Sequence, residues 1–316
     1  MPRTSSHRKD ALALHVSVML FGMAGLLGKA VSVSPLVVVF ARAAIAALAL
    51  MVWLLGRQWI ATASRQGVPR AAARGELAGL NAWTFAGLAV SGVVLAIHWL
   101  AFFRSVQVST VAVGLLSFGT FPIFMALMDP FCSGGRLRAI DLARACLVGV
   151  GMAIVVPAYD LQARVTQGVI WGVFSALTFA VLAMLNRRLS RGLSPRLIAA
   201  GQNAVAGLVL APAILLSPPA LTRLDMARLV VLGTVCTALA HALYIQGLRS
   251  VRIPVVGVVT ALEPVYGILL AAILLGEVPS PRSMAGGAII VGLVMWTAAS
   301  RSGEASVARQ PARTAS

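Results

Sequence analysis

The chain has 316 residues, of which 59% are hydrophobic and 11% are charged, and its mean hydropathy is +0.91. Because soluble domains carry about 25% charged residues, this composition excludes an ordinary soluble protein and predicts a polytopic membrane protein. The net charge of +17 does not indicate a nucleic-acid partner, since the arginines fall between apolar runs instead of lining one helix face.

Ten apolar runs can be drawn along the chain, and each predicts a membrane-spanning helix. The predicted spans are Ala11–Gly28, Pro35–Leu55, Leu80–Phe102, Val111–Met128, Asp141–Val156, Gly168–Leu185, Leu197–Leu216, Leu229–Leu248, Pro254–Leu275 and Met284–Ala299. Residues 1–10 are expected to form a basic cytoplasmic tail. Residues 301–316, rich in Arg, Ser and Ala, are expected to form a disordered one.

Lysine and arginine decide the orientation of the spans, because cytoplasmic loops collect them. With the amino terminus inside, the cytoplasmic segments hold 19 of the 26 basic residues and the outer segments hold 6, while Arg42 lies within a span. This distribution predicts that both termini are cytoplasmic.

The two halves of the chain contain related segments. The run from His98 to Pro122 parallels the run from His241 to Pro264: both contain Arg-Ser-Val, and the separations from His to Pro are 24 and 23 residues. Because five spans per half is an odd number, the second copy must enter the membrane upside down. Inverted repeats are typical of secondary transporters, whose substrate site lies near the midplane between the copies. We therefore predict an all-α integral membrane protein of ten transmembrane helices, arranged as two inverted five-helix repeats over residues 11–157 and 158–300.

The ninth predicted span contains a single charged residue, Glu263. A carboxylate this deep costs about 2.5–3.5 kcal/mol on insertion scales, so it should face protein or water. Pro264 beside it, like Pro122 at the matching place, is expected to break its helix and open the backbone toward a cavity. Glu263 could carry a proton or bind a cationic group of a substrate. Alternatively, it pairs with an internal donor and braces the break.

A family resemblance rests on the residues around this acid. The segments Leu262-Glu263-Pro264-Val265, Leu274-Leu275-Gly276-Glu277 and Gly286-Gly287 with Gly292 resemble the carboxy-terminal half of an EamA-type transporter, in the drug/metabolite transporter superfamily. The resemblance implies a duplicated five-helix unit and a multi-pass protein of the bacterial inner membrane. The first half departs from the family pattern, because Phe118-Gly119-Thr120-Phe121-Pro122 contains no acid.

Polar residues within the other spans are further candidates for substrate binding or coupling. Arg42 could bind a substrate carboxylate or phosphate bidentately, or form an ion pair within the bundle. His98 and His241 occupy matching places in the repeat and could relay protons, although a neutral histidine bonded between helices explains them equally. Lys29, at the end of the first span, is interpreted as an interface anchor.

A second group of side chains could line a polar cavity. Its amides are Asn186, Gln202 and Asn203, and its aromatic walls would be Trp99, Tyr244 and Tyr266. Aromatic residues in such helices serve more often in packing or in an interface belt, and that alternative stays open.

Glycines on the fifth and tenth predicted spans favour close helix approach, either between the two copies or at a homodimer seam. They are Gly149, Gly151, Gly286, Gly287 and Gly292.

No nucleotide-binding, zinc-protease or catalytic-triad motif occurs, and the three cysteines lack metal-site spacing, so we expect no cofactor, no metal and no enzyme activity. The predicted function is secondary transport of a small polar metabolite, with export of amino acids or related compounds as the best single guess. The partners are then the substrate and the lipid bilayer, with proton coupling as a hypothesis. A membrane-embedded enzyme acting on lipid, and a passive facilitator or scaffold, are the alternatives.

Overall fold

A computed structural model of the chain describes residues 3–63, 80–133, 139–155, 160, 162–251, 256, 259–260 and 262–307, and within these residues there is no β-strand. The helices, in chain order, are α1 Arg3–Ala30, α2 Pro35–Ala63, α3 Ala82–Val108, α4 Val111–Phe118, α5 Phe121–Ser133, α6 Ala139–Val155, α7 Arg164–Leu189, α8 Pro195–Leu216, α9 Arg223–Gly233, α10 Ala240–Ser250, α11 Glu263–Leu275 and α12 Pro281–Val307. A π-helical segment, Thr234–Leu239, joins α9 to α10 without a turn.

Within the described residues, seven segments are long and apolar enough to cross a membrane. They are Asp10–Ala30, Pro35–Gly56, Ala82–Val108, Val111–Met128, Arg164–Leu189, Pro195–Leu216 and Arg223–Leu248. The shorter apolar helices Cys146–Val155 and Glu263–Leu275, together with α12, fall on the three remaining predicted spans. The prediction of an all-α membrane protein is confirmed, whereas the count of ten spans stays a prediction.

Several helices continue beyond the ends predicted for them. Helix α1 begins at Arg3, inside the predicted basic tail, and α2 continues to Ala63. Helix α12 reaches Val307, so positions 301–307 are helical where a disordered tail was predicted, and positions 308–316 lie outside the described residues. The physical reason is that hydropathy marks where a helix enters lipid, whereas the helix ends only where its backbone pattern stops.

The fourth predicted span is two helices rather than one. Helix α4 ends at Phe118, and Gly119 and Thr120 form a turn before α5 begins at Phe121. The Gly119 amide donates to the Leu115 carbonyl at 2.8 Å, and the Thr120 hydroxyl donates to the Ser117 carbonyl at 2.7 Å, so the backbone at the turn stays satisfied. Pro122 is the second residue of α5, as Pro264 is the second residue of α11. Proline is tolerated in the first helical turn, where its missing N–H has no intrahelical partner to lose.

Helix packing follows a pattern of exchanged pairs between the two halves. Helix α2 packs against α8, and α6 packs against α12, so counterparts contact each other. Helix α3 packs against α7, and the matching contact in the other half is between α10 and α1. Helices α4 and α5 pack against α7, and the matching contact is between α11 and α1. For these pairs, replacing each helix by the one at the matching place of the predicted repeat gives another of the same pairs.

Two glycines allow α6 and α12 to approach closely. A Cβ atom at Gly151 would lie 2.9 Å from Ile290 Cγ1 and 3.3 Å from the Gly286 carbonyl oxygen, which is closer than packed atoms allow. Gly149 and Gly292 have no neighbour within 4 Å of such an atom. Of the glycines noted in the sequence, Gly151 and Gly286 therefore allow the close packing of α6 against α12 within one chain. We call this contact the seam.

We expect Gly151→Val to destabilise the protein by about 1–3 kcal/mol, the usual cost of overpacking a tight contact. Gly149→Val is the matched control, because it adds the same side chain to the same helix in open space. The midpoint of unfolding in detergent micelles, followed by tryptophan fluorescence, measures both. Equal shifts for the two variants would contradict the assigned seam.

Candidate functional site

A small cavity lies where α1, α2, α3, α4, α7, α10 and α11 meet. Its volume is about 30 Å³. A water molecule needs about 10–15 Å³ of such space. The cavity therefore has room for two or three waters, and for no larger solute in this conformation. Its walls are formed by Phe21, Ala24, Arg42, Leu95, His98, Trp99, Phe102, Phe118, Phe179, His241 and Glu263. Five of the residues singled out from the sequence thus come together here.

Arg42 carries a buried positive charge into this cavity. Its side chain is 2% exposed, and its guanidinium carbon lies 3.9 Å from the centre of the Trp99 ring and 5.1 Å from that of Phe103. Stacking of this kind contributes about 2 kcal/mol when the cation is desolvated. The described residues place no carboxylate in ion-pair contact with Arg42. The cation is therefore held by aromatic faces and hydrogen bonding, and the predicted alternative of an ion pair within the bundle is not what the structure shows.

The π-helical segment supplies the hydrogen bond that orients Arg42. Arg42 Nε donates to the hydroxyl oxygen of Thr237 at 2.9 Å, and that hydroxyl donates in turn to the Leu232 carbonyl at 2.6 Å, five residues earlier. The wider turn of a π-helix frees a carbonyl for such a side chain, and these segments are frequent at functional sites. With Nε fixed, the guanidinium is held in place at the wall of the cavity.

Glu263 is the acidic group of the site. It is the first residue of α11 and is 3% exposed, and its Oε2 atom has no hydrogen-bond partner in the described part of the chain. An unpaired buried polar atom costs about 1–3 kcal/mol, so such an atom requires an explanation. A bound cation, a proton or a hydrogen-bond donor of a ligand would each satisfy it.

His98 presents a hydrogen-bond acceptor to the cavity in its neutral form. Its Nδ1 atom lies 3.0 Å from the Ser175 carbonyl oxygen, and a carbonyl can only accept, so Nδ1 carries the hydrogen. The Ser175 hydroxyl lies 2.9 Å from the same nitrogen and 3.2 Å from the His98 carbonyl oxygen, to which it donates. The remaining nitrogen, Nε2, is then the acceptor.

His241, in contrast, offers a hydrogen-bond donor. The Asn203 side-chain nitrogen donates to the Ala199 carbonyl at 2.8 Å, which identifies that atom as the amide nitrogen, and it also lies 3.3 Å from His241 Nδ1. His241 Nδ1 therefore accepts, and in the neutral ring Nε2 carries the hydrogen. This Nε2 atom is buried and has no protein partner among the described residues, so it offers a donor. The centre of the His241 ring lies 6.0 Å from that of the Trp99 ring.

The other predicted residues lie around the cavity instead of lining it. Gln202 donates to Asn186 at 2.5 Å, and both are buried between α7 and α8. Tyr244 is fully buried, with its ring centre 5.4 Å from that of Phe179. Tyr266 is partly buried against the core. The structure therefore gives these amides and tyrosines a supporting position behind the cavity.

Sequence reasoning missed the phenylalanines, which are four of the eleven wall residues. Phe118 stacks on Phe121 with ring centres 5.5 Å apart, and each makes an edge contact with Phe179, at 5.2 and 5.1 Å. Phe121 precedes Pro122 as Glu263 precedes Pro264. That register in the repeat is the signal that could have identified Phe121 as the counterpart of the acid.

Helices α1 and α3 are also joined by reciprocal hydrogen bonds. Lys29 Nζ donates to the Val106, Gln107 and Ser109 carbonyls at 3.0, 3.4 and 2.5 Å. The Gln107 side chain donates to the Gly28 carbonyl at 3.2 Å and to the Val33 carbonyl at 3.0 Å. Each helix thus satisfies carbonyls at or just beyond the end of the other. Lys29 joins two helices, a role more specific than the predicted interface anchor.

This fold and site define a class: a helical membrane protein whose two halves together form a small cavity that contains four ionisable side chains. Residues 166–298 match the model of the EamA-like transporter family. The second half of the chain is therefore similar to this family, and the predicted resemblance is confirmed.

Relatives are found along the whole chain. It is 22% identical over 312 residues to the uncharacterized transporter YxxF of Bacillus subtilis (strain 168), covering 97% of this chain and 95% of that protein. It is 24% identical over 215 residues to an uncharacterized transporter of Archaeoglobus fulgidus, covering 67% of this chain and 76% of that one. A crystal structure with 18% identity superposes with a TM-score of 0.64 and covers 93% of this chain and 98% of the other, which shows a shared fold.

Thr237 provides a test of the hydrogen bond that holds Arg42. Thr237→Val keeps the shape but removes the acceptor, and we expect a loss of about 1.5–3 kcal/mol, the range for a hydrogen bond to a charged group. Thr237→Ser retains the hydroxyl and should keep most of the stability. Titration with a denaturing detergent measures both variants. A Thr237→Ser variant that is as unstable as Thr237→Val would show that the methyl group, and not the hydroxyl, matters.

Proposed function

We propose that this protein is a secondary transporter of small polar metabolites that works by alternating access. The observation that carries the proposal is the central cavity, where an unpaired carboxylate oxygen of Glu263 and the Arg42 guanidinium face one enclosed space between the two halves. Buried polar groups without partners are expensive, and a fold retains them where a ligand or a proton completes them.

The hydrogen-bond donors and acceptors of the cavity favour a substrate that carries both an acidic group and an ammonium or hydroxyl group. Arg42 and His241 offer donors, which fit a carboxylate or phosphate, whereas Glu263 and His98 offer acceptors, which fit an ammonium or hydroxyl group. The phenylalanine wall adds apolar surface. Amino acids and related compounds have this combination, and we propose their export as the most suitable reaction.

The small volume of the cavity requires a conformational change before a solute larger than a few waters can enter. Alternating access supplies it, with the two five-helix units, residues 11–157 and 158–300, rocking about the central cavity. The exchanged packing pairs support this division, because two structurally related units would form such contacts. Both units contribute to the cavity, Arg42 and His98 from the first and His241 and Glu263 from the second.

Proton coupling is assigned to Glu263, and Glu263→Gln tests it. We expect the variant to lose pH-driven accumulation in proteoliposomes but to retain counterflow of radiolabelled substrate, since counterflow needs no net proton movement. The substrate for this assay is first found by a thermal-shift screen of the purified protein against a metabolite library.

Two outcomes would contradict this role. If Glu263 only braces the helix break, the variant will lose stability, and both transport assays will fall together. If Glu263→Gln retains full pH-driven accumulation at normal expression, the coupling group is another one, and His98 and His241 become the residues to test.

The proposed location is the bacterial inner membrane, with both termini in the cytoplasm. An alkaline phosphatase fusion after Ser316 should be inactive, because that enzyme works only outside the cytoplasm. A green fluorescent protein fusion at the same position should be fluorescent. The reverse result would remove one span from the proposed ten.

Counterflow also separates the proposal from its alternatives. A scaffold or a lipid-modifying enzyme gives no counterflow, and a passive facilitator gives counterflow without pH-driven accumulation. A homodimer remains compatible with the proposal, but one chain lines the whole central cavity and no second copy is needed to complete it.

A further inference from the structure

A second and larger cavity lies away from the central one. Its volume is about 770 Å³, within the range of small-molecule sites, and it shares no residue with the central cavity. It runs between α2 and the helix formed by the π segment and α10, and the start of α8 closes one end.

The walls of this groove change from apolar to polar along its length. Leu50 of α2 with Ala238, Leu239 and Leu243 of the facing helix form an apolar wall. Its polar residues, in contrast, gather near the helix ends, where the spans of α1 and α8 begin and those of α2 and α10 finish. They are Asp10, Trp53, Ser194, Arg196 and Gln246. The groove therefore extends from one membrane surface toward the interior, and it fits an amphipathic ligand with one polar end.

The groove is also open toward the surrounding lipid. Leu239 is 48% exposed and Trp53 is 37% exposed, although both line the groove. Leu239 lies inside the membrane-spanning segment Arg223–Leu248, where exposed apolar surface meets acyl chains. A lipid can thus enter sideways, without passing through water.

The charged residues of the groove indicate which kind of lipid head group would fit there. The Arg196 guanidinium carbon lies 4.2 Å from the centre of the Trp53 ring, a pairing typical of a membrane interface. Arg196 follows Ser194 and Pro195 at the amino end of α8, where the helix dipole is positive. Asp10 is the acid of the groove, and its Oδ1 atom already accepts a hydrogen bond from the Gln246 side chain at 2.8 Å.

We propose that this groove binds an anionic phospholipid. The phosphate lies against Arg196 and the amino end of α8, and an acyl chain lies along Leu50 and Leu239. Basic pockets between membrane helices recognise lipid head groups in this way. The site is independent of the central cavity, so the proposal does not depend on transport.

Native mass spectrometry of the full-length protein tests the proposal, with phosphatidylglycerol, phosphatidylethanolamine and phosphatidylcholine added separately. We expect phosphatidylglycerol to remain bound most tightly. Arg196→Gln should weaken its binding about tenfold, equivalent to about 1.4 kcal/mol. Arg191→Gln is the matched control, because Arg191 is exposed, lies five positions earlier and does not line the groove.

A second variant tests the acyl-chain part and does not alter any charge. Ala242 lines the groove, and Ala242→Phe fills it, so phosphatidylglycerol binding should fall while Arg196 remains in place. This variant also decides the matter if Arg196→Gln fails to fold. Equal lipid binding by Arg196→Gln and Arg191→Gln would overturn the proposal, as would unchanged binding by Ala242→Phe. Preferential retention of phosphatidylethanolamine or phosphatidylcholine, or a dimer that carries no lipid, would overturn it too.

Discussion

The structure depends on how the Arg42 guanidinium is kept in the middle of a helical bundle without an ion-pair contact to an acid among the described residues. Burying an ion costs several kcal/mol, and a paired carboxylate would usually offset that cost. Arg42 instead lies against the faces of Trp99 and Phe103 and donates through Nε to Thr237. These contacts come from α3 and from the π-helical segment, so a single charge on α2 determines how three membrane elements pack.

The helix breaks follow from the same need to satisfy polar groups inside lipid. A break leaves backbone N–H and C=O groups without intrahelical partners, and the membrane offers no water to replace them. At α4 and α5 the turn is short and internally bonded, and Pro122 occupies a position that has no hydrogen bond to lose. At α11 the break places Glu263 at the first helical position, where the helix dipole favours a negative charge. At both breaks, the residues that interrupt the helix therefore occupy a defined position in the bundle.

The sequence predicted the polar centre better than it predicted the surroundings. Ionisable residues are rare within apolar runs, so Glu263, Arg42, His98 and His241 could be identified individually, and they do line one cavity. The phenylalanines could not be distinguished from ordinary packing residues, because an aromatic side chain in a membrane helix is common. The π-helical segment was also unpredictable, since Thr234–Leu239 has an unremarkable composition and its geometry depends on contacts with α2. The ends of α2 and α12 were missed because hydropathy records contact with lipid and not helix length.

The two halves differ at the places that the predicted repeat matches. At matching places before a proline, the first half has Phe121 and the second has Glu263, and only the second can change its charge. The histidines differ in the same sense: the Ser175 carbonyl fixes His98 as an acceptor, whereas Asn203 fixes His241 as a donor. A symmetric pair of acids inside one closed cavity would repel, and each would raise the cost of burying the other. With Glu263 as the one acid of the cavity lining, this repulsion is absent, and the acid lies opposite a wall that contains four phenylalanines. A ligand bound there would have a single preferred orientation, although the surrounding helices are arranged in exchanged pairs.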